Sequence, residues 1–276
     1  MLEITSSQNP RVKNAVRLRA AKHRREQGLI LIDGAREITR AMKSGVRMTE
    51  VFVCPSMATT PESQSLLEGL RSFASADRPF DVLEVSPAVF EKLAFGDRAE
   101  GILGVAEKPG TTLREISLFE SAKNRDPLVV VLEGVEKPGN LGAVLRSADA
   151  AGVSALIVAD SRVELYNPNA IRASLGTIFA LPVCEATGSE ALAWLRRQSL
   201  SIFAARVDGS VPYTNADFRG PAAFVLGAEA TGLTPAWSAP DITAIHLPML
   251  GIADSLNISA TAAVLFYEAL RQRASS

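Results

Sequence analysis

The chain has 276 residues, of which 47% are apolar and 21% charged, a composition that supports a sizeable core and suits two domains. No run approaches the roughly 18 apolar residues of a membrane span. Glu3 and the polar Ser6-Ser7-Gln8-Asn9-Pro10 stretch form no signal-peptide core, so a cytoplasmic protein with no membrane partner is expected. Cys54 and Cys184 lie far apart in strand-like sequence and read as two buried free thiols. With only His23 and His246 no metal site is expected, and His246, in Ala244-Ile245-His246-Leu247-Pro248, reads as a satisfied strand histidine.

The net charge of -1 conceals a basic front end, because residues 1–50 carry 11 Lys and Arg against 5 Asp and Glu. Between Arg11 and Arg25 every charge is positive: Arg11, Lys13, Arg17, Arg19, Lys22, Arg24 and Arg25, with Val12, Val16 and Leu18 on an apolar side. The pattern predicts a basic amphipathic helix over 11–25 whose charged face is either a phosphate-backbone contact, with these cations binding RNA, or a solvated surface. Strand Leu29–Ile32, helix Ala35–Met42, strand Glu50–Val53, helix 62–73, strand 80–85, helix 87–93 and strand Ile102–Ala106 follow, a small α/β domain over residues 1–108.

The polar stretch from Lys108-Pro109-Gly110 to Arg125-Asp126 reads as a linker over 109–126. Beyond it, in a second domain spanning 127–276, strands are expected at Leu128–Leu132, Ala155–Ala159, Thr177–Leu181, Ile202–Val207, Ala222–Leu226 and Ala244–Leu247. Continuously apolar strands alternating with helices predict a parallel sheet covered on both faces.

Three segments of that domain hold polar chemistry at strand ends and helix mouths. In the first, Gly139-Asn140-Leu141-Gly142 opens a helix directly after a buried strand, and Arg146 lies on roughly the face of Gly142 and Asp149, where it can clamp a phosphate. Alone, this segment also resembles a dinucleotide-binding turn, with Asp160 placed as a ribose-binding acid, but its glycines are spaced GxxG. In the second, Gly227 and Gly232 bracket Glu229 at the carboxyl edge of the sheet. In the third, Pro248 and Gly251 force an irregular loop whose Ser255 or Asn257 can cap the final helix, running to about Arg273.

Together, Asn140-x-Gly142-x-x-x-Arg146, Leu226-Gly227-x-Glu229-x-x-Gly232-Leu233, and Leu247-Pro248-Met249-x-Gly251 with Ser255-Leu256-Asn257-x-Ser259 and Tyr267-Glu268 resemble the signature motifs of the SpoU/TrmH-type RNA 2′-O-ribose methyltransferases of the SPOUT superfamily. Ala228 and Ala230 depart from the serine and glycine common in that family. Ser7–Lys13, Ile32–Glu37 and Glu100–Val105 are similar to its L30e-like substrate-binding domain. The resemblance implies an α/β fold with a parallel-sheet trefoil-knot methyltransferase domain behind a smaller L30e-like α/β domain. It also implies S-adenosylmethionine as cofactor, RNA as partner, and a homodimer formed through the C-terminal domain whose sites borrow residues across the interface.

By the same resemblance Gly227, Leu247 and Leu256 contact the cofactor, mainly through backbone groups, while Asn140, Arg146, Glu229, Ser255 and Asn257 surround the acceptor ribose. The reaction is in-line transfer of a sulfonium methyl to a 2′-hydroxyl, which asks the protein for alignment, a proton sink and phosphate anchoring, and no metal. The family proposal makes Arg146 the base. A guanidinium with a pKa above about 12 is better suited to gripping phosphate and stabilising an alkoxide, with Glu229, water or the phosphate taking the proton. The separate front domain points to 23S rRNA, with tRNA the alternative. Two other readings stay open: a non-catalytic RNA-binding or ribosome-assembly protein, and a Rossmann-like nucleotide-dependent oxidoreductase.

Overall fold

The computed structural model describes residues 2–73, 80–94, 100–122, 125–228 and 231–274, and the chain gathers into two units, Met1–Pro109 with Tyr166–Ala180, and Gly110–Leu165 with Leu181–Ser276. In the first, β1 (Leu2–Ile4), α1 (Pro10–Arg17), α2 (Ala21–Gln27), β2 (Leu29–Asp33), α3 (Ala35–Lys43), β3 (Met48–Val53), α4 (Pro61–Phe73), β4 (Asp81–Val85), α5 (Pro87–Leu93) and β5 (Ile102–Glu107) follow one another. The strands form a mixed sheet in the order β1-β4-β3-β5-β2, in which β5 runs antiparallel to β2 and β3. Val12, Ala15 and Leu18 seat the N-terminal helix on Phe52, Leu83, Phe90 and Leu103.

The single basic helix expected over 11–25 is broken into α1 and α2, and Arg24 explains the break. Its side chain is buried, 2% exposed, and Nη1 donates to the carbonyls of Leu18 and Arg19, each at 2.7 Å. The guanidinium thus satisfies acceptors that the end of α1 leaves open. Arg24 is a structural residue, which corrects its assignment to an RNA-contacting surface. Arg19 donates to the carbonyls of Lys92 and Ala94 at the C-terminal end of α5, and Arg11 pairs with Asp81 at 2.6 Å and Glu50 at 3.5 Å. Lys13, Arg17, Lys22 and Arg25 are the exposed cations of this segment.

In the second unit, α6 (Leu118–Ser121), β6 (Leu128–Glu133), α7 (Pro138–Ala151) and β7 (Ala155–Ala159) come first. After the excursion into the first unit, which carries α8 (Pro168–Ala173), come β8 (Val183–Ala186), α9 (Gly188–Arg197), β9 (Ser201–Ala205), β10 (Val211–Pro212), β11 (Ala222–Leu226), β12 (Ile242–His246) and α10 (Ile258–Ala274). The sheet is seven-stranded and parallel throughout, in the order β10-β12-β9-β11-β6-β7-β8. All of β6, β7 and β11 is buried, as a sheet covered on both faces requires. On one face Val129, Ile157, Trp194, Val225 and Trp237 share a core. Elsewhere Phe218 meets Phe203 and Phe224 edge to face at 4.8 Å, and Phe224 packs on Phe266 of α10.

Two expectations are corrected here. The stretch 109–126 is more than a linker, because Ile116 and Leu118 are buried in the core of the second unit. The strand expected at Thr177–Leu181 is a 3-10 turn over Thr177–Phe179. Leu175 and Gly176 precede it with φ of 55° and 80°, and two successive left-handed residues do not lead into a strand there. Arg40 donates to the Leu175 carbonyl at 2.7 Å, and a Cβ on Gly176 would stand 3.0 Å from Glu37 Cα, so glycine permits the approach. The strand forms four residues later, as β8. Both cysteines are free and buried, and burial, followed by the charge of Glu185, pushes the Cys184 thiol up to about 12.

The end of β6 is fixed by Glu133, which is 3% exposed. Its carboxylate accepts from Thr234 N at 2.8 Å, Thr234 Oγ1 at 2.9 Å and Trp237 Nε1 at 2.7 Å. Removing the acceptor would strand the buried indole N–H of Trp237, at a cost of about 1–3 kcal/mol, while the Thr234 donors lie nearer the surface, where water can replace the carboxylate. Glu133→Ala is therefore expected to lower unfolding free energy by about 1–3 kcal/mol, measured by urea denaturation.

Candidate active site

The carboxyl ends of β9, β11 and β12 open onto a cleft of about 960 Å³. It is lined by residues 205–208, 226–228, 231–233, 246–249 and 254–256, with Ile258 and Thr261 of α10. Ligands of open α/β sheets bind outside the carboxyl ends of the strands, and the volume falls in the range of small-molecule and cofactor pockets.

Two close backbone approaches shape the cleft. A Cβ on Gly227 would collide with the carbonyl carbon of Gly232 and come within 2.6 Å of Leu233 N. A Cβ on Gly209 would stand 2.5 Å from the carbonyl carbon of Ile245 and 3.0 Å from His246 N. The loop after β9 is held down by Arg206, whose N–H donates to the Ile245 carbonyl at 2.9 Å. Its guanidinium grips Asp208 through Nε at 2.8 Å and Nη2 at 2.7 Å and also donates to Ser238 Oγ. That fork of hydrogen bonds holds the Asp208 carboxyl below the usual carboxylate range.

Of the residues singled out in the sequence, Gly227, Leu247, Ser255 and Leu256 line this cleft. Asn257 caps α10: its Oδ1 accepts from Ser259 N at 2.9 Å and Ser259 Oγ at 2.6 Å. Its Nδ2 donates to Asn140 Oδ1 at 3.3 Å, joining the mouth of α10 to the first turn of α7. Arg146 stands exposed on α7 outside the cleft lining, with no hydrogen bond or ion pair among the described residues. Glu229 lies outside the described residues. Glu268 of the same motif set bonds Gln272 Nε2 at 2.9 Å, and Gln272 in turn bonds Ala216 O and Phe218 N, so its work is to staple a loop to α10.

Asp160 is not a ribose-binding acid. Its Oδ2 accepts from Gly188 N at 2.8 Å, at the start of α9, and the cleft lies along other strands. Sequence reasoning missed Asp208, Thr231, Asp254 and His246 as cleft residues. An Asp208-Gly209 pair directly after an apolar strand was the available signal for the first. The expectation that His246 is satisfied is corrected: its Nδ1 is buried with no hydrogen-bond partner. Among the described residues no group of three or more His, Cys, Asp and Glu side chains could hold a metal ion, and no helix is long and apolar enough to cross a membrane.

Residues 127–267 match the SpoU rRNA Methylase family, and residues 9–104 match the MRM3-like substrate binding domain. The 23S rRNA (uridine(2479)-2′-O)-methyltransferase of Streptomyces viridochromogenes is 29% identical over 98% of this chain and 92% of its own. The 23S rRNA (guanosine-2′-O-)-methyltransferase RlmB of Ralstonia nicotianae is 34% identical over 68% of this chain and 76% of its own. Among solved structures, an RNA 2′-O ribose methyltransferase is 42% identical with a TM-score of 0.82, covering 99% of this chain and 100% of that one. The SpoU methyltransferase AviRb from Streptomyces viridochromogenes, in complex with the cofactor AdoMet, is 27% identical with a TM-score of 0.84, covering 98% and 100%.

The glycine at 227 is a steric requirement, because what its Cβ would meet is main chain. Gly227→Ala is expected to cost about 1–3 kcal/mol of stability through overpacking. Gly220→Ala, where nothing lies within 4 Å, should stay within about 0.5 kcal/mol of the parent. Urea midpoints of the two variants check the contrast.

Proposed function

The chain belongs to the SpoU rRNA methylase family, and on that premise we propose that it transfers a methyl group from S-adenosylmethionine to a ribose 2′-hydroxyl of 23S rRNA. The observation that carries this reading is the cleft at the sheet's carboxyl edge, walled by Gly227, Leu247, Ser255 and Leu256, with the Asn140–Asn257 pair at the mouth of α10. Its size and its glycine-built close approaches suit a folded cofactor held mostly by main chain. Bound there, S-adenosylmethionine supplies an electrophilic methyl, so the chain need not supply a metal.

The work left to the protein is positional and electrostatic. The backbone around Gly227, Leu247 and Leu256 holds the adenosyl and methionyl parts. Asn140, Ser255 and Asn257 orient the acceptor ribose. Arg146 grips the RNA phosphate through its fork of N–H donors and stabilises charge growing on the 2′-oxygen. Glu229 belongs to the same constellation by its place in the motif.

Arg146 stands outside the cleft of its own chain, which favours a homodimer in which each site is completed by the other copy. Leu250 and Ile252 are fully exposed, and Leu256 and Tyr267 are 41% and 52% exposed, an apolar C-terminal surface of the kind that partners cover. The close approaches of Gly209 to Ile245 and of Gly227 to Gly232 support a tightly threaded, trefoil-knotted path for this domain. Residues 1–108, L30e-like, bind the RNA, residues 127–276 carry the transfer, and the enzyme works in the cytoplasm.

Tritium transfer from labelled S-adenosylmethionine to ribosomal RNA, followed by nucleoside analysis, tests the activity. Arg146→Ala is expected to lose about 100-fold or more in transfer while cofactor affinity stays within about threefold. Transfer to tRNA alone would redirect the substrate, and no transfer with any RNA would favour the non-catalytic reading. Reversing charge at Lys13, Arg17, Lys22 and Arg25 should weaken RNA binding and reduce the slope of log affinity against log salt by about one per side chain removed. Cofactor affinity should not move.

A further inference from the structure

His246 ends β12 and lines the cleft, yet its Nδ1 is buried without a hydrogen-bond partner. A buried polar atom of this kind costs about 1–3 kcal/mol unless a ligand or water completes it. The polar groups of the loop after β9, which shares the cleft, are already committed elsewhere. Gly209 lies against the backbone of Ile245 and His246, the Arg206 N–H is spent on the Ile245 carbonyl, and the Asp208 carboxylate is committed to the Arg206 fork. The imidazole retains freedom about Cβ–Cγ, a broad and soft torsion, so the ring can turn a nitrogen toward the cleft at little cost.

We propose that His246 is a positioning residue for the cofactor, its Nδ1 forming a hydrogen bond to the adenosyl part of bound S-adenosylmethionine. The adenosyl part, whose ring nitrogens and ribose hydroxyls can pair with an imidazole nitrogen, is assigned because His246 directly precedes Leu247, whose main chain holds the cofactor in the reading above, on which this inference rests. The bond leaves the methyl untouched and holds the nucleoside end, so its loss weakens adenosylmethionine, adenosylhomocysteine and free adenosine by the same factor.

The chain contains two histidines, so ¹⁵N imidazole spectra of the full-length protein give two sets of signals. His23, which faces Glu26 at 3.2 Å far along the sequence from the cleft residues, serves as the internal reference. Saturating adenosylmethionine should move the His246 Nδ1 resonance and leave His23 in place. By calorimetry, His246→Phe should bind all three ligands about tenfold more weakly, and His246→Asn, whose amide stands where Nδ1 stood, should recover to within about threefold of the parent. A His246 resonance that stays put, a Phe variant that binds like the parent, or an Asn variant no better than Phe would overturn the assignment. Parent protein that fails to bind adenosylmethionine at all would overturn the cofactor reading itself, and the inference with it.

Discussion

The buried carboxylate of Glu133 is the constraint on which the second unit depends. It stands at the carboxyl end of a fully buried strand and gathers the main chain and hydroxyl of Thr234 and the indole of Trp237. That grip sets where the loop leaving β11 must come back, and so places Gly232 and Leu233 against Gly227. Next door, Gly188 leaves room for both Glu133 and Asp160, since a Cβ there would stand 2.9 Å from one carboxylate and 3.0 Å from the other. Two acids at adjacent strand ends thus organise loops and a helix start, and neither is available for chemistry on a ligand.

The site divides its labour by chemical type. The cleft is shaped by main chain at two points, Gly209 and Gly227, where only glycine permits the approach of neighbouring backbone. The polar side chains that would meet an acceptor lie on helix mouths, where free N–H groups and cap residues meet. Asn257 illustrates the economy: one amide caps α10 through its oxygen and reaches Asn140 through its nitrogen. A substitution there would disturb helix start and site together, whereas Arg146, exposed on α7, can be changed without touching the core.

Much of this was legible in the sequence because the informative residues are ones with narrow physical roles. Pro248 and Asn257 announce an irregular loop and a cap, and β7, α5 and β11 match the expected spans residue for residue. What escaped was decided by backbone conformation and side-chain direction that residue type alone does not specify. Nothing local says that Arg24 turns inward to the carbonyls of its own helix break while Lys22 and Arg25 remain outside. The apolar run Thr177–Leu181 has a strand's composition, and left-handed backbone at Leu175 and Gly176 overrides it. The polar stretch after Pro109 hid Ile116 and Leu118, two apolar residues too few to register as an element but enough to fill a core. His246 looked like an ordinary strand residue because an unmet hydrogen bond leaves no trace in composition.

The cleft draws its walls from residues 205–261, all within the last third of the chain, and the strand that closes it, β12, inserts between β9 and β10 rather than adding at an edge. During synthesis, then, the sheet can pair β6, β7 and β8 well before any pocket exists, and no partial chain lacking α10 has a complete one. A nascent or truncated chain therefore cannot hold ligand in a finished cleft, and binding competence arrives in a late step, after long-range strand pairing of the kind that makes parallel sheets slow to fold.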